Sequence, residues 1–237
     1  MYRAAILTDV HGNLPALKAV LDDVQRAGVD AIYHLGDVIA IGPFPREALE
    51  LLLDQPNTHF ILGNHDEYFA FGIPNTIAED VQRHERWVQA ELPEELRPIV
   101  RRWPRKLSLK VGNIEAKLLH YALADDEWSF KPIIKEPTPD QFGDLFASAH
   151  ANLVFYGHHH PQSDVSANGI RYINPGALGC SHDNLARYVM LSVDNHGNHQ
   201  IEFKASEYDR QVVMRAFDER EVPVREFIKR TFYGVVD

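Results

Sequence analysis

Short apolar runs and helical periodicities alternate through the first sixty residues. "AAILT" (4–8) ends in polar residues and predicts a buried strand. Leu14, Leu17, Val20, Leu21 and Val24 then recur at helical spacing, with Asn13 as cap, Pro15 in the first turn and Gly28 as stop. "AIYHL" (31–35), "REALELLL" (46–53) and "THFIL" (58–62) continue as strand, helix and strand. A β-α-β-α-β opening predicts a parallel sheet with right-handed crossovers. Between about 67 and 106 the pattern turns helical, as "IAEDVQRHERWVQAEL" and "PEELRPIVRRW", and predicts a helical insertion or cap. Strands follow: "LSLKV", "EAKLL", "NLVFY", "IRYI", "YVMLSV" and "QIEFK", with Asn-Gly and Gly-Asn pairs marking hairpins. A helical tail is expected over about 207–233, broken at Pro223, in one domain spanning 1–237.

The chain has 237 residues, 45% hydrophobic, enough for one substantial core. Its 24 basic and 34 acidic residues give a formal charge of −10, which argues against a stable nucleic-acid partner. Bound cations would reverse that field locally, so an anionic substrate stays compatible. Cys180 is the single cysteine, which excludes an intrachain disulfide and a thiolate zinc cluster. No stretch has the length of a membrane span or of a secretory signal, and a cytoplasmic location is expected. A homo-oligomer stays open.

The polar residues change the picture. Strand one is followed by "DVH" (Asp9, His11), strand two by "GDVIAIG" (Asp37) and strand three by "GNHD" (Asn64, His65, Asp66). "EAKLL" is followed by His120, and "NLVFY" by "GHHHP" (157–161). Ligands of open α/β sheets gather beyond the carboxyl ends of strands. A single such Asp is usually a cap, and a single His usually a surface or core residue. His34, His59, His84, His150, His196 and His199 of the 13 histidines are read that way. Capping does not explain the same chemistry at five strand ends. In an extended loop residues two apart point alike, which pairs Asp9 with His11 and His158 with His160 and turns His159 away. Gly157 is expected to let the backbone pass closely beneath the site.

Asp9, His11, Asp37, Asn64, His120, His158 and His160 are too many ligands for one ion and suit two that share Asp37. Nitrogen and oxygen ligands without sulfur suit Mn, Fe, Co, Ni or Zn, with manganese placed first, rather than Mg or Ca. His65 is left to serve a leaving oxygen, with Asp66 to orient it. Ile41 and Phe44, with Tyr121, are expected to contact substrate. Tyr68, Phe69 and Phe71 are stacking candidates, and Trp87 and Trp103 read as core.

These blocks resemble the calcineurin-like metallophosphoesterase superfamily: D-x-H, G-D-x-x-x-x-G, G-N-H-D/E, H and G-H-x-H, in order, over residues 1 to about 205. "NPGALG" (174–179) is similar to a turn of its small bacterial phosphodiesterase branch. The resemblance implies a four-layer αββα sandwich of two mixed sheets flanked by helices. It implies one metal on Asp9, His11, Asp37 and His160, and another on Asp37, Asn64, His120 and His158. A metal-bridging hydroxide would attack phosphorus in line, with His65 assisting the leaving group. Tyr121 stands where the family usually has Gly, and Ala177 where Ser is common. The superfamily's protein phosphatases carry Asp-Arg before the last Gly of the second block, where this chain has Ala40 and Ile41. The expected activity is hydrolysis of phosphodiester or dinucleoside polyphosphate bonds in small molecules. The alternatives are a phosphomonoesterase or protein phosphatase of the same superfamily, a nuclease of it, or a non-catalytic binding module on its fold.

Overall fold

The computed structural model describes residues 1–147 and 151–236; His150 lies outside them. The first sheet contains β1 (Tyr2–Leu7), β2 (Ala31–His34), β3 (Thr58–Phe60), β9 (Leu185–Val193) and β10 (His199–Glu207), in the order β10-β9-β1-β2-β3. The β1–β2–β3 pairs are parallel and the β1–β9–β10 pairs antiparallel. The second sheet contains β4 (Lys106–Val111), β5 (Ile114–Leu119), β6 (Leu153–Phe155), β7 (Ser163–Ala167) and β8 (Ile170–Asn174), in the order β4-β5-β6-β8-β7. There β5, β6 and β8 run parallel, with β4 and β7 antiparallel at the edges.

The period-two alternation of β1 explains the layering. Ala4 and Ile6 face inward, into a core with Leu118, Phe155, Ile173 and Leu191 between the sheets. Ala5 and Leu7 face outward, into a core with Leu17, Val20, Phe217 and Ile228 under helices. Those helices are α1 (Leu14–Ala27), α2 (Pro45–Leu53), α7 (Arg210–Glu219) and α8 (Arg225–Tyr233). On the far side Phe142 and Leu145 of α6 (Pro139–Leu145) pack on Val154, Tyr156 and Tyr172. The result is the four-layer αββα sandwich. Asn13 caps α1 by accepting from Ala16 N at 3.1 Å, and Gly28 ends it at φ 65°.

Between β3 and β4 the chain forms α3 (Asn64–Phe71), α4 (Glu79–Glu91), a 3₁₀ turn (Glu94–Leu96) and α5 (Arg97–Val100). Helix therefore begins at Asn64, earlier than the pattern predicts, because "GNHD" is itself a first helical turn. Trp103 is buried and stacks on Phe60 at 4.5 Å, and Trp87 packs against the same core. Two elements escape the hydrophobic pattern. The short helix α6 is set by a Thr138–Gln141 capping box, and β7 is a mostly polar edge strand. No helix among the described residues is long and apolar enough to cross a membrane.

Candidate metal centre

The ends of β1, β2 and β3 face those of β5 and β6, and the seven candidate ligands converge between them. The backbone reaches this point through tight turns rather than extended loops. Asp9, His11, Asp37, His158 and His160 all lie at positive φ, between 47° and 65°. The period-two expectation is thereby corrected for the histidine run, while Asp9 Oδ1 and His11 Nε2 do come together, at 3.6 Å. His158 and His160 do not point alike; they serve opposite ends of the cluster. His158 Nδ1 lies 3.2 Å from His120 Nε2, and His160 Nε2 lies 3.1 Å from His11 Nε2. His159 makes neither contact and is half-buried.

Each carboxylate is fixed by one oxygen and offers the other. Asp9 Oδ2 accepts from Thr8 Oγ1 at 2.7 Å and His158 N at 3.0 Å, while its buried Oδ1 has no hydrogen-bond partner. Asp37 Oδ1 accepts from His65 N at 3.0 Å, and its Oδ2 lies 3.3 Å from His120 Nε2 and 3.8 Å from His11 Nε2. Backbone carbonyls fix two imidazoles in the ligating orientation. His120 Nδ1 donates to Leu35 O at 2.9 Å and His11 Nδ1 to Ile39 O at 3.3 Å, which turns each Nε2 toward the centre. The Asn64 amide oxygen faces His120 Nε2 at 3.2 Å. Turned over, the amide would donate to Asp37, His120 and His158, so the nitrogen suits the centre alone and the oxygen is what the residue could offer a cation.

The electrostatics agree. Burial alone would raise Asp37, but His120, His65 and His11 hold it well below the usual carboxylate range. Burial lowers His120, yet Asp37 outweighs it and brings the imidazole to about 9, so Nε2 holds a proton that a cation binding there would displace. Burial, helped for His158 by His120 and for His160 by His11, pushes both imidazoles down to about 4, keeping them neutral and ready to ligate. An unpartnered buried carboxylate oxygen, the shared Asp37 oxygen and four imidazoles form a donor set that cations satisfy. Asp37 Oδ2 is within reach of both halves. Asp37 groups with His120 and His158 on one side and with His11 and His65 on the other, each set of ligand atoms lying within 4.8 Å.

A turn of the chain braces both ligand loops. In "NPGALG", Ala177 N donates to His160 O at 2.7 Å, Leu178 N to Thr8 O at 3.0 Å and Gly179 N to Asp9 O at 2.9 Å. The backbone makes these contacts, which explains why Ala177 serves where Ser is common. Gly157 also permits close approach: a methyl there would overlap Thr8 Oγ1 and come within 2.8 Å of Asp9 Oδ2.

Other site expectations change. Asp66 does not orient His65. Its carboxylate accepts from the backbone N–H groups of Asp37 (2.7 Å), Val38 (3.1 Å) and Gly63 (3.1 Å), tying the helix start to the second loop. The carboxylate on the His65 ring is Glu85, with Oε1 2.5 Å from Nδ1 and 1% of its side chain exposed. Burial lowers His65, but Glu85 and Asp37 prevail and raise it to about 9. Sequence reading missed Glu85. The available signal was a charged residue on the buried face of α4, beside His84 and Val88.

Tyr121 is fully buried. Its ring packs behind His158 at 5.2 Å and its hydroxyl accepts from Ile134 N at 3.3 Å, so it supports a ligand instead of touching substrate. Phe44 lies under the Arg220 guanidinium at 4.8 Å, placed by packing away from His65. Ile41 does border the cleft beside His65, and its N–H donates to His84 Nε2 at 2.8 Å. Tyr68 lines the same cleft; Phe69 is core, and Phe71 stacks edge-on with Trp128. His34 is buried and His59 stacks on Tyr33, as their structural reading expected. Cys180 comes within 4.8 Å of the His11 and His160 ligand atoms, but burial pushes its thiol well up, and a neutral thiol is a poor ligand.

Known proteins share this architecture. An uncharacterised protein of Methanocaldococcus jannaschii is 28% identical over 226 residues, 86% of this chain and 87% of that one. A hypothetical protein of Pyrococcus horikoshii superposes over the whole of both chains with a TM-score of 0.82 at 21% identity. A metallophosphoesterase from Sphaerobacter thermophilus gives 0.76 at 24% identity, over 99% of each chain. These two likenesses carry the fold. The profile of the calcineurin-like phosphoesterase superfamily domain matches residues 2–196, and with that match over most of its length the chain belongs to this superfamily.

Proposed function

We propose that the protein is a two-metal phosphodiesterase acting on small molecules. The observation that carries this reading is the shared Asp37 Oδ2, flanked by His120 on one side and His11 on the other. Asp9, His11, Asp37 and His160 would hold one divalent ion, and Asp37, Asn64, His120 and His158 the other, manganese first. Two such ions polarise a phosphoryl group and make water nucleophilic at neutral pH. The residues of the chain do the rest. Glu85 holds His65 by Nδ1, so the other ring nitrogen, Nε2, is free for the cleft. As water adds to phosphorus and the ester P–O bond breaks, His65 Nε2–H gives its proton to the departing oxygen and is reprotonated from solvent. Asp66 keeps Asp37 and the His65 helix in register.

The preference for diesters rests on charge. A monoester dianion gains most from a bidentate guanidinium. Where the protein phosphatases have one, this chain has Ala40 and Ile41, both buried. A diester bears one charge fewer and has a second organic arm to place. The test is kcat/KM of the Mn²⁺-loaded protein for bis-p-nitrophenyl phosphate against p-nitrophenyl phosphate. The diester is expected to lead; a monoester ahead by about tenfold, roughly 1.4 kcal/mol, would overturn the reading.

A further inference from the structure

The cleft beside His65 opens into a cavity of about 370 Å³ that the chemistry above leaves unused. Asn64 and His65 form one side of it. Tyr68 of α3, Val81 of α4, Ile77 just before α4, and Phe227 and Phe232 of α8 form the rest of an apolar wall. Phe227 is 62% exposed and Val81 37% exposed, so apolar surface is left to water next to a reactive centre. The volume is in the usual small-ligand range of roughly 300–1,000 Å³. Its lining carboxylates are Asp80 and Glu85, and no Lys or Arg among the described residues lines it. A second cavity adjoins it across Phe232, which lines both. Beyond His160 lies a cavity of about 360 Å³ bordered by Gln162, Ser181, His182 and Arg187.

We propose that the cavity beside His65 is the subsite for the leaving arm of the substrate and selects an uncharged aromatic or apolar arm. This rests on the phosphodiesterase reading and narrows it. His65 serves the oxygen that departs, so whatever that oxygen carries lies on the His65 side. An aryl or nucleoside-like ring fits the Tyr68–Phe227–Phe232 wall by size and surface. An arm bearing a further phosphate would lose its hydration against that wall, where Asp80 and Glu85 are already paired with Arg83 and His65 and no lining Lys or Arg among the described residues could take it up. Dinucleoside polyphosphates, whose leaving arm is itself a phosphate, are thereby disfavoured. The arm retained on phosphorus is left to the more polar cavity beyond His160.

The test uses methyl aryl phosphodiesters whose leaving phenols match in acidity, one neutral and one bearing a carboxylate. The Mn²⁺-loaded protein is expected to favour the neutral arm by about tenfold or more in kcat/KM. Phe227→Ala should raise KM for the neutral ester by about tenfold, a loss of buried ring area, and leave the carboxylate ester nearly unchanged. Val81→Lys should reverse the preference. In parallel, calorimetric titration of the metal-free protein with the neutral phenol alone should show saturable binding that Phe227→Asp abolishes. Equal kcat/KM for the two esters, or absence of phenol binding, overturns the subsite. If neither ester is turned over while the phenol still binds in a Phe227-dependent way, the phosphodiesterase reading fails and the subsite stands.

Discussion

Glu85 offers the sharpest test of how the centre works, because its carboxylate touches the His65 ring and belongs to neither metal set. Glu85→Leu removes a buried, charge-assisted hydrogen bond of 2.5 Å from an almost fully enclosed site. Such bonds are worth about 1.5–3 kcal/mol, so losing the orientation of His65 should lower kcat by about 10–100-fold. The ceiling is the worth of His65 itself, about 10²–10⁴ for a positioned proton donor. Glu85→Gln keeps an oxygen to accept from Nδ1 and loses the charge, so its deficit should be smaller. Neither variant should release metal. Removing one partner of a buried pair typically costs about 3–5 kcal/mol, so Tm is read alongside kcat; the cost should fall short of that because the His65 side chain is 17% exposed and can give up its proton. The assay is kcat for aryl methyl phosphodiesters over a range of leaving phenols, with bound metal measured in parallel. The deficit should grow as the phenol becomes less acidic, and His65→Ala combined with Glu85→Leu should cost no more than His65→Ala alone. A deficit equal for good and poor leaving groups, or additive with His65→Ala, would show that Glu85 acts by some route other than His65.

His158→Ala and His160→Ala should each lose metal and activity while His159→Thr stays near wild type, read as bound metal after dialysis; a His159 variant that lost metal would refute the two-ended assignment. Gly157→Ala should displace Thr8 and Asp9 at an overpacking cost of about 1–3 kcal/mol, seen as a lower Tm together with reduced metal content; an unchanged metal content would show that the loop yields without disturbing Asp9. Burial holds His34 and His84 down at about 3. Their unfolded forms take protons near 6.5, so stability is full above that pH and falls as pH drops from about 6.5 towards 3. In urea titrations of the metal-free protein, His84→Gln, which still accepts from Ile41 N, should lose about 2 kcal/mol less than wild type between pH 7 and 5; identical losses would refute the buried neutral imidazole.

The sandwich and the convergence of the seven candidate ligands were largely legible because both follow from local rules. Alternation in β1 assigns Ala4 and Ile6 to one core and Ala5 and Leu7 to another, and polar residues at successive strand ends meet wherever parallel strands lie side by side. What escaped depends on neighbours distant in sequence. Asp66 looked like the partner of His65 by adjacency, yet a residue at the third position of a helix turns back to the helix start, and its oxygens meet the loop at 37–38. Glu85, 20 residues on, reaches His65 because α4 packs across α3. Tyr121 follows a ligand but sits on the opposite pleat, so it faces the outer core beside Phe146. The left-handed turns at Asp9, His11 and Asp37 are set by the strand-end loops themselves, and hydropathy carries no trace of them.

The ligands are divided between the sheets: Asp9, His11, Asp37 and Asn64 follow strands of one, and His120, His158 and His160 follow strands of the other. An ion shared by the two sets would therefore rivet the halves of the sandwich together. Its binding would add to the docking free energy of the sheets, by about 2.7 kcal/mol when free metal exceeds its Kd a hundredfold. Metal supply would then govern more than turnover. A cell short of the ion would hold a looser sandwich, one that opens more often and offers its chain to proteases, and the abundance of the protein would become a readout of the metal it uses.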